Sequence, residues 1–354
     1  MVAPITHFET PRGEMVGVEG TPKPPLPVFK LEIAEMSEPR RRKPTLPGVA
    51  EILSYLVEMS DGSAYTVKDF TARDAFKHRV EMTIPLGTRM KGYNSDLAEL
   101  ISDGGSDLYL YSFNRSADNP TSLSQDVYAY GLIRRELNAR KGIKPGQRRS
   151  INYGQSRGGM AGLGIMAFDS LFKEHVDLGL HVDDCLPDET DTWMTIHGLP
   201  PQNMAQELLK VPSCIKRHRN ESRGHQLQRA LRWSKSVGVT PTFLKAQVHS
   251  GRALWKGEAG IYAAHMDPSQ GIVLHAFNRN KLNGRNEYVK RLGHLPFFQV
   301  IDEDEQWHMD LGREEVIYGS AEKLVVAQEA LDDNATVGEV VELIAKPFFP
   351  KKAA

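Results

Sequence analysis

The chain has 354 residues, and its 44 Lys and Arg against 45 Asp and Glu leave a formal net charge of -1. With 30 Gly, 21 Pro and 2 Cys it lies inside ordinary globular ranges, which excludes collagen-like, disulfide-rich and wholly disordered proteins. The length and the 40% of apolar residues allow one large core with an insertion or two modest domains, and we favour the first. The balanced charge gives no general electrostatic reason to bind nucleic acid.

The two cysteines and the N-terminal sequence indicate the cellular compartment in which the protein is expected to work. Cys185 and Cys214 form no CxxC pair, so a zinc site built on thiolates is not expected and reduced thiols are the simpler interpretation. The first residues lack the basic end and apolar run of a signal peptide, and no stretch approaches the roughly 18 apolar residues of a membrane helix. We therefore expect a cytoplasmic protein without a membrane span.

Residues 1–48 are predicted to form a proline-rich N-terminal extension. Nine of the 21 prolines fall there, and proline favours extended chain that packs poorly. The basic run Arg40-Arg41-Arg42-Lys43 near its end is interpreted as solvated linker charge.

From about residue 49 apolar runs alternate with helical segments, which predicts an α/β fold with a mostly parallel sheet and helices on both faces. Helices are predicted at Asn94–Ser102 and Leu123–Arg140, with an N-terminal strand pair near Ala64–Phe70. Six further strands are predicted, at His78–Pro85, Asp107–Phe113, Arg149–Tyr153, Val176–Val182, Gly271–Phe277 and Pro296–Ile301.

The strand ending at Tyr153 leads into the sharpest motif, GQSRG at residues 154–158, followed by small and apolar residues at helical spacing. A strand, a Gly-x-Ser-x-Gly turn and a helix form the context of a nucleophile elbow. Glycine is expected at positions 154 and 158, because a side chain two residues from the serine would collide with the neighbouring strand or helix. Such a turn aims the Ser156 hydroxyl above the sheet and places the Arg157 amide where it can hold an oxyanion. The alternative is a glycine-rich turn that only packs a helix on a sheet.

Residues 187–267 are predicted to be a helical cap inserted into a core made of 49–186 and 268–354. The strand pattern stops there, and roughly 80 residues are too many for a simple crossover. Residues 216–235 are rich in Lys and Arg, so a nucleic-acid-binding module is the non-enzymatic alternative. If this basic segment borders the pocket, an anionic substrate is expected.

A serine nucleophile needs a base from the carboxyl edge of the same sheet. The last predicted strand is followed by a polar loop that carries His308, the position where a serine hydrolase of this topology keeps its base. His294 lies before that strand and His275 lies inside the previous one, so His308 is the candidate base.

The elbow, the turn after an early strand (IPLGT), the insertion and the late histidine together resemble the α/β-hydrolase superfamily over roughly residues 65–330. The resemblance implies an eight-stranded, mostly parallel sheet and a catalytic serine, acid and histidine in that chain order. It implies that Ser156 is the nucleophile and His308 the base. The amide of Arg157, with that of Leu86 or Gly87, would bind the oxyanion.

The position of the triad's acid differs from the one that is common in the family, which follows the strand matching Gly271–Phe277. After Gly271–Phe277 the sequence reads Asn-Arg-Asn, and no carboxylate follows until Glu287. The family's other location follows the preceding strand, where Asp183 and Asp184 stand, and either could orient the imidazole. Glu287, an acid within Asp302–Glu305, or no acid at all remain open.

The sequence thus predicts a serine hydrolase acting on a small-molecule ester or thioester, with no metal or other cofactor. An acyltransferase of the same fold and an inactive hydrolase-fold binding protein are the alternatives. A divalent-metal hydrolase is a third, since His175 and His181 are predicted on one strand face. Its other candidate ligands are Asp183, Asp184 and His197.

Overall fold

The computed structural model describes residues 25–76, 81–85, 93–114, 121, 123–155, 157–183, 260–277, 285–303 and 314–349, with backbone alone at 93, 94, 157, 183 and 287. These residues form a ten-stranded sheet with helices on both faces. The strands are β1 (Ile33–Met36), β2 (Arg40–Arg42), β3 (Val49–Met59), β4 (Ala64–Ala72), β5 (Glu81–Pro85), β6 (Asp107–Tyr111), β7 (Ser150–Gln155), β8 (Val176–Asp183), β9 (Gly271–Phe277) and β10 (Phe298–Glu303). The helices are α1 (Tyr93–Asp103), α2 (Leu123–Arg140), α3 (Arg157–Ala167), α4 (Asp169–Phe172), α5 (Arg285–Leu292), α6 (Glu314–Asp332) and α7 (Val337–Ile344), and residues 260–265 are also helical.

The strand order is β1-β3-β4-β6-β5-β7-β8-β9-β10, and β2 also pairs with β3. All neighbours from β6 to β10 are parallel, whereas the pairs among β1 to β4 and the β4–β6 pair are antiparallel. The predicted fold class, a mostly parallel sheet between helices, is confirmed. Strands β3 to β10 give the eight strands that the resemblance implied, and β1 and β2 are additional.

The element predictions are accurate where apolar runs have clear ends. Both ends of α2 and of β9 lie where the sequence placed them. The last strand begins two residues later than predicted, because Leu295 and Phe298 take part in backbone turn hydrogen bonds that end α5 and start β10. The N-terminal strand pair is longer than predicted and forms the hairpin β3–β4.

Part of the predicted N-terminal extension belongs to the sheet. Strands β1 and β2 both pair antiparallel with β3, and Leu31 before them is buried. The Phe29 ring packs edge-on against Tyr128 of α2, with 5.6 Å between ring centroids. The arginines of β2 are exposed, as expected of solvated charge, but they lie on a strand. Burial of the apolar residues between the prolines explains why this segment packs.

Two apolar layers enclose the sheet. Helices α2 and α3 pack on one face, and α1, α6 and α7 pack on the other. Strands β5, β6, β7 and β9 are buried along their whole length, as expected of parallel strands that helices cover on both faces. Among the described helices, none combines the length and apolar character needed to cross a bilayer.

Charged side chains gather at the amino edge of the parallel strands. Arg134 of α2 pairs with Glu81 at the start of β5, with 2.7 Å between Nε and Oε1. Arg148, just before β7, lies 3.2 Å from the Asp107 carboxylate at the start of β6. These pairs are almost fully buried, so this edge is closed by structural ion pairs and the opposite edge is left for chemistry.

Candidate active site

The predicted nucleophile, base, oxyanion donors and the acids Asp183 and Asp184 lie in the sequence at or just after the carboxyl ends of parallel strands. β5, β7, β8 and β10 end at Pro85, Gln155, Asp183 and Glu303, and parallel strands bring these ends to one edge of the sheet. β5, β7 and β8 are direct neighbours, and β10 lies two strands beyond β8. The predicted Leu86, Gly87, Ser156, Asp184 and His308 lie outside the described residues.

The turn around position 156 is the tightest strand-to-helix connection in the described chain. β7 ends at Gln155 and α3 begins at Arg157, so a single residue separates them. A Cβ atom built on Gly154 would lie 2.4 Å from the carbonyl oxygen of Gly158 and 2.6 Å from the Cα of Gly159. Real Cβ atoms do not approach backbone this closely, so position 154 requires glycine for the reason that the motif predicted.

The backbone of Arg157 opens α3, a helix of 11 residues. An amide in the first turn of a helix has no partner inside the helix and lies at the positive end of its dipole. Two further glycines bring α3 close to its neighbours: a Cβ on Gly162 would meet Asn152 at 2.6 Å, and one on Gly164 would meet Val127 at 2.9 Å. Glycine at these two positions therefore lets α3 pack closely on β7 and on α2.

Two buried polar side chains lie under α3 beside the elbow, and neither belongs to the predicted nucleophile, base or acid. Gly154 and His181 are register partners on β7 and β8. A Cβ on Gly162 would lie 2.6 Å from Asn152 Nδ2 and 2.8 Å from His181 Nε2, so both side chains meet that turn of the helix. Within the described part of the chain, His181 Nε2 and both amide atoms of Asn152 have no hydrogen-bond partner. Burial lowers the pKa of His181 to about 4, so its imidazole is neutral at pH 7.

Gln155 is a third buried polar group at the elbow. Its side chain is 1% exposed, and neither amide atom has a hydrogen-bond partner among the described residues. Its register partner is Val182, which belongs to the core on the α1 and α6 side, so it points away from α3. A polar residue inside a central strand is the sequence signal that could have identified Asn152, Gln155 and His181.

The acid candidates are distributed between described and undescribed residues. Asp183 is the last residue of β8, where its register partner is Ala276, and Glu287 lies in α5. Of the alternative acids at 302–305, Asp302 forms an exposed pair with Arg285, with 2.6 Å between Oδ1 and Nε. Glu303 is fully buried and bound to His275, with 2.7 Å between Oε1 and Nδ1. Both of these carboxylates are therefore engaged elsewhere.

The structure contradicts the expectation on which the metal alternative rests, that His175 and His181 lie on one strand face. His175 precedes β8 and has a positive φ of 49°, so it is not on the strand face that His181 occupies. Six residues of strand correspond to about 20 Å, which places the two histidines near opposite edges of the sheet. In the described ranges no group of three or more His, Cys, Asp or Glu side chains is arranged to hold a metal ion. Asp184 and His197 lie outside those ranges.

The end of the predicted cap segment is part of the core. Tyr262 in the helical residues 260–265 is fully buried, and its hydroxyl lies 2.6 Å from Ser124 Oγ at the start of α2. Its ring packs edge-on against Phe168, with 6.2 Å between centroids. Residues 187–259, including the basic segment 216–235, lie outside the described residues.

Solved structures share this architecture. A highly thermostable carboxyl esterase from Bacillus coagulans superimposes with a TM-score of 0.53 at 8% identity, covering 79% of this chain and 99% of that protein. A soluble variant of monoglyceride lipase from Saccharomyces cerevisiae gives a TM-score of 0.51 at 12% identity, covering 78% and 93%. The chain has the α/β-hydrolase fold. No family model and no curated protein matches the sequence.

In the α/β-hydrolase fold the carboxyl edge of the sheet is where a ligand binds, at the point where the strand order reverses. Here the order reverses between β5 and β7, which are neighbours although β6 lies between them in sequence. Position 156 follows β7 directly in the sequence, so the predicted elbow lies at that point.

Proposed function

We propose that this α/β-hydrolase-fold protein is a serine hydrolase that cleaves a carboxylic ester or thioester through an acyl-enzyme on Ser156. The observation that carries the proposal is the one-residue connection between β7 and α3, with Gly154 and Gly158 in backbone contact around it. This geometry is typical of a nucleophile elbow, and it stands where the sheet order reverses.

In the proposed reaction Ser156 Oγ attacks the acyl carbon while His308 takes the hydroxyl proton. The negative oxygen of the tetrahedral intermediate is held by the Arg157 amide and by the amide of Leu86 or Gly87. The alcohol or thiol then leaves with the proton from His308, which forms the acyl-enzyme. Water, deprotonated by His308, adds to the acyl carbon; the bond to Ser156 Oγ then breaks, Oγ takes the proton back from His308, and the carboxylic acid leaves.

Chain geometry supports His308 as the base. Three strand spacings separate β7 from β10, a distance of about 14 Å. Five residues of extended chain beyond Glu303 span about 16 Å. His308 is five residues beyond Glu303, so it can reach the position that follows β7.

The acid that completes the proposed triad is Asp183 or Asp184. Asp183 is the last residue of β8 and Asp184 follows it in the sequence; β8 lies between β7, which Ser156 follows, and β10, which precedes His308. The fold resemblance to a carboxyl esterase and a monoglyceride lipase favours an ester substrate over other acyl compounds. An anionic substrate is a further proposal that rests on the basic sequence of residues 216–235.

The test is labelling with a fluorophosphonate probe, which phosphonylates an activated serine. We expect the wild-type protein to be labelled, and Ser156→Ala and His308→Ala to lose labelling. Ser170→Ala is the matched control, because Ser170 is an exposed serine in α4. Labelling that survives Ser156→Ala contradicts the mechanism, and a folded wild type without labelling favours an inactive binding protein.

Hydrolysis of a short-chain aryl ester assigns the acid and separates hydrolysis from acyl transfer. Asp183→Asn or Asp184→Asn should reduce the rate of hydrolysis, whereas Glu287→Gln should not. Loss in Glu287→Gln alone would show that the acid belongs to α5. Adding an alcohol or amine acceptor tests transfer, since a transferase gives the acceptor ester or amide in place of the free acid.

A further inference from the structure

Residues 345–349, called the tail here, follow α7 and lie outside any helix or strand. The backbone amides of Phe348 and Phe349 donate to the Glu303 carboxylate at the end of β10, at 2.7 Å and 3.3 Å. This carboxylate is fully buried, so its hydrogen bonds are not exposed to competition from bulk water. The tail is therefore held on β10 by a side chain of another element.

Helix α6 holds the tail through Lys323. Its Nζ donates to the carbonyl oxygens of Ile344 at 3.0 Å and Lys346 at 2.6 Å. The same Nζ is 5.3 Å from the centre of the Phe348 ring, and a Cβ on Gly319 would approach that ring to 2.8 Å. The tail thus packs on α6 as well as on β10.

His275 of β9 contacts both the tail and Glu303. Its Nδ1 lies 2.7 Å from Glu303 Oε1, and its ring stacks on Phe348 with 4.0 Å between centroids. Burial of the side chain lowers the pKa of His275, and the neighbouring Glu303 carboxylate only partly opposes this effect. At pH 7 the ring is therefore neutral and donates its Nδ1 proton to the carboxylate that also binds the tail.

A second proton on the His275 ring would meet no acceptor in the described part of the chain. Nε2 is buried, and it has no hydrogen-bond partner among those residues. Two charged groups there face the ring: Glu303 from β10 favours the imidazolium, and Lys323 from α6 opposes it. Water would solvate the second proton if the Phe348 ring moved away. Protonation of His275 therefore favours a state without the tail in place.

We propose that the tail is an acid-released strap, which protonation of His275 detaches from β9, β10 and α6 while the rest of the fold stays intact. With the tail detached, an exposed His275 takes up a proton near pH 6.5, whereas the buried ring does so only at lower pH. Attachment is therefore complete above pH 6.5 and weakens as the pH falls. The tail can open by itself because side-chain contacts, and no helix or strand ladder, hold it.

Hydrogen exchange of the Phe348 and Phe349 amides in the full-length protein tests this proposal. We expect their protection factors, which correct for the pH dependence of intrinsic exchange, to fall roughly 10-fold from pH 7.5 to pH 5. The amide of Val340 in α7 donates to the Thr336 carbonyl at 3.0 Å and is the internal reference, which should keep its protection. Unchanged protection of the tail overturns the proposal, as do equal losses at all three amides, because these would mean that the whole fold opens.

His275→Gln removes the titrating group and keeps a side-chain donor for Glu303. The tail should then have the same protection at pH 7.5 and pH 5. His294→Gln is the matched control at an exposed histidine and should show the wild-type loss. A loss that persists in His275→Gln overturns the proposal. If His275→Gln does not fold, NMR titration decides: the pKa of His275 should rise toward 6.5 in Phe348→Ala, and an unchanged pKa overturns the proposal.

Discussion

Arg134 and Glu81 form an ion pair inside the protein, with 2.7 Å between Nε and Oε1 and side-chain exposures of 4% and 0%. Arg134 also contacts the Ser150 hydroxyl at the start of β7 and lies 3.9 Å from Glu174. The pair joins α2 to β5 at the amino edge of the sheet, away from the elbow. Its role is therefore stability, and loss of Arg134 should leave the buried Glu81 carboxylate with the more distant Arg148, 3.7 Å away, as its remaining cationic neighbour among the described residues.

Arg134→Met should lower the free energy of unfolding by about 3–5 kcal/mol, measured by urea denaturation. Arg140→Met is the control on the same helix, because Arg140 pairs with Glu136 at 2.9 Å with both side chains exposed. That substitution should cost less than about 0.5 kcal/mol. If Arg134→Met and Arg140→Met lowered the free energy of unfolding by the same small amount, Glu81 would not depend on Arg134 for its stabilisation.

Gly154→Ala should abolish fluorophosphonate labelling and destabilise the fold by about 1–3 kcal/mol, because the new methyl group meets the Gly158 backbone. Gly159→Ala is the control directly after the motif, since its Cβ would have no neighbour closer than 3.8 Å among the described residues. Alanine in a helix is favoured over glycine by about 1 kcal/mol, so this variant should be labelled and no less stable. Labelling of Gly154→Ala at the wild-type rate would contradict the close contact.

Acidification should destabilise the protein through His181. Burial disfavours the charged imidazole and lowers the pKa of this side chain from 6.5, the ordinary value for histidine, to about 4 in the fold. The unfolded chain then binds the extra proton between these values. The contribution of His181 is therefore complete above pH 6.5 and is lost as the pH falls toward 4, by about 3 kcal/mol in total.

His181→Leu removes this titration, so the unfolding free energies at pH 7 and pH 4.5 should differ by less than in the wild type. His294→Leu is the control, because His294 is exposed in the turn before β10. It should retain the wild-type dependence on pH. An unchanged dependence in His181→Leu would show that other groups cause the acid sensitivity.

Tyr262 should be coupled energetically to Ser124, whose Oγ lies 2.6 Å from its hydroxyl. A double-mutant cycle with Tyr262→Phe and Ser124→Ala, measured by thermal or urea unfolding, should give a coupling of about 1 kcal/mol. Tyr318→Phe, at an exposed position of α6, should have no measurable effect. A coupling of zero would mean that the hydroxyl contact contributes nothing to holding residues 260–265 on the core.

The sequence predicted the parallel sheet because apolar runs such as those of β6 and β9 alternate with helical segments, and such runs are a local property of the chain. The same local patterns placed α2 and β9 at their observed ends. They did not indicate β1 and β2, since the pairing of these strands with β3 depends on residues 10 to 26 positions away and on no pattern within the strands themselves. Ser156, His308 and the acid remain predictions, and the backbone on either side of position 156 supports the first.

What the sequence determined by itself is the order of elements and the glycine-flanked turn after β7, because periodicity and backbone sterics act over a few residues. The tertiary structure decided which polar groups are buried together. Arg134 meets Glu81, and Glu303 meets both His275 and the backbone amide of Phe348, across separations that no local pattern encodes. These contacts depend on the strand order, since only neighbouring strands and the helices that cover them bring distant residues within hydrogen-bonding distance.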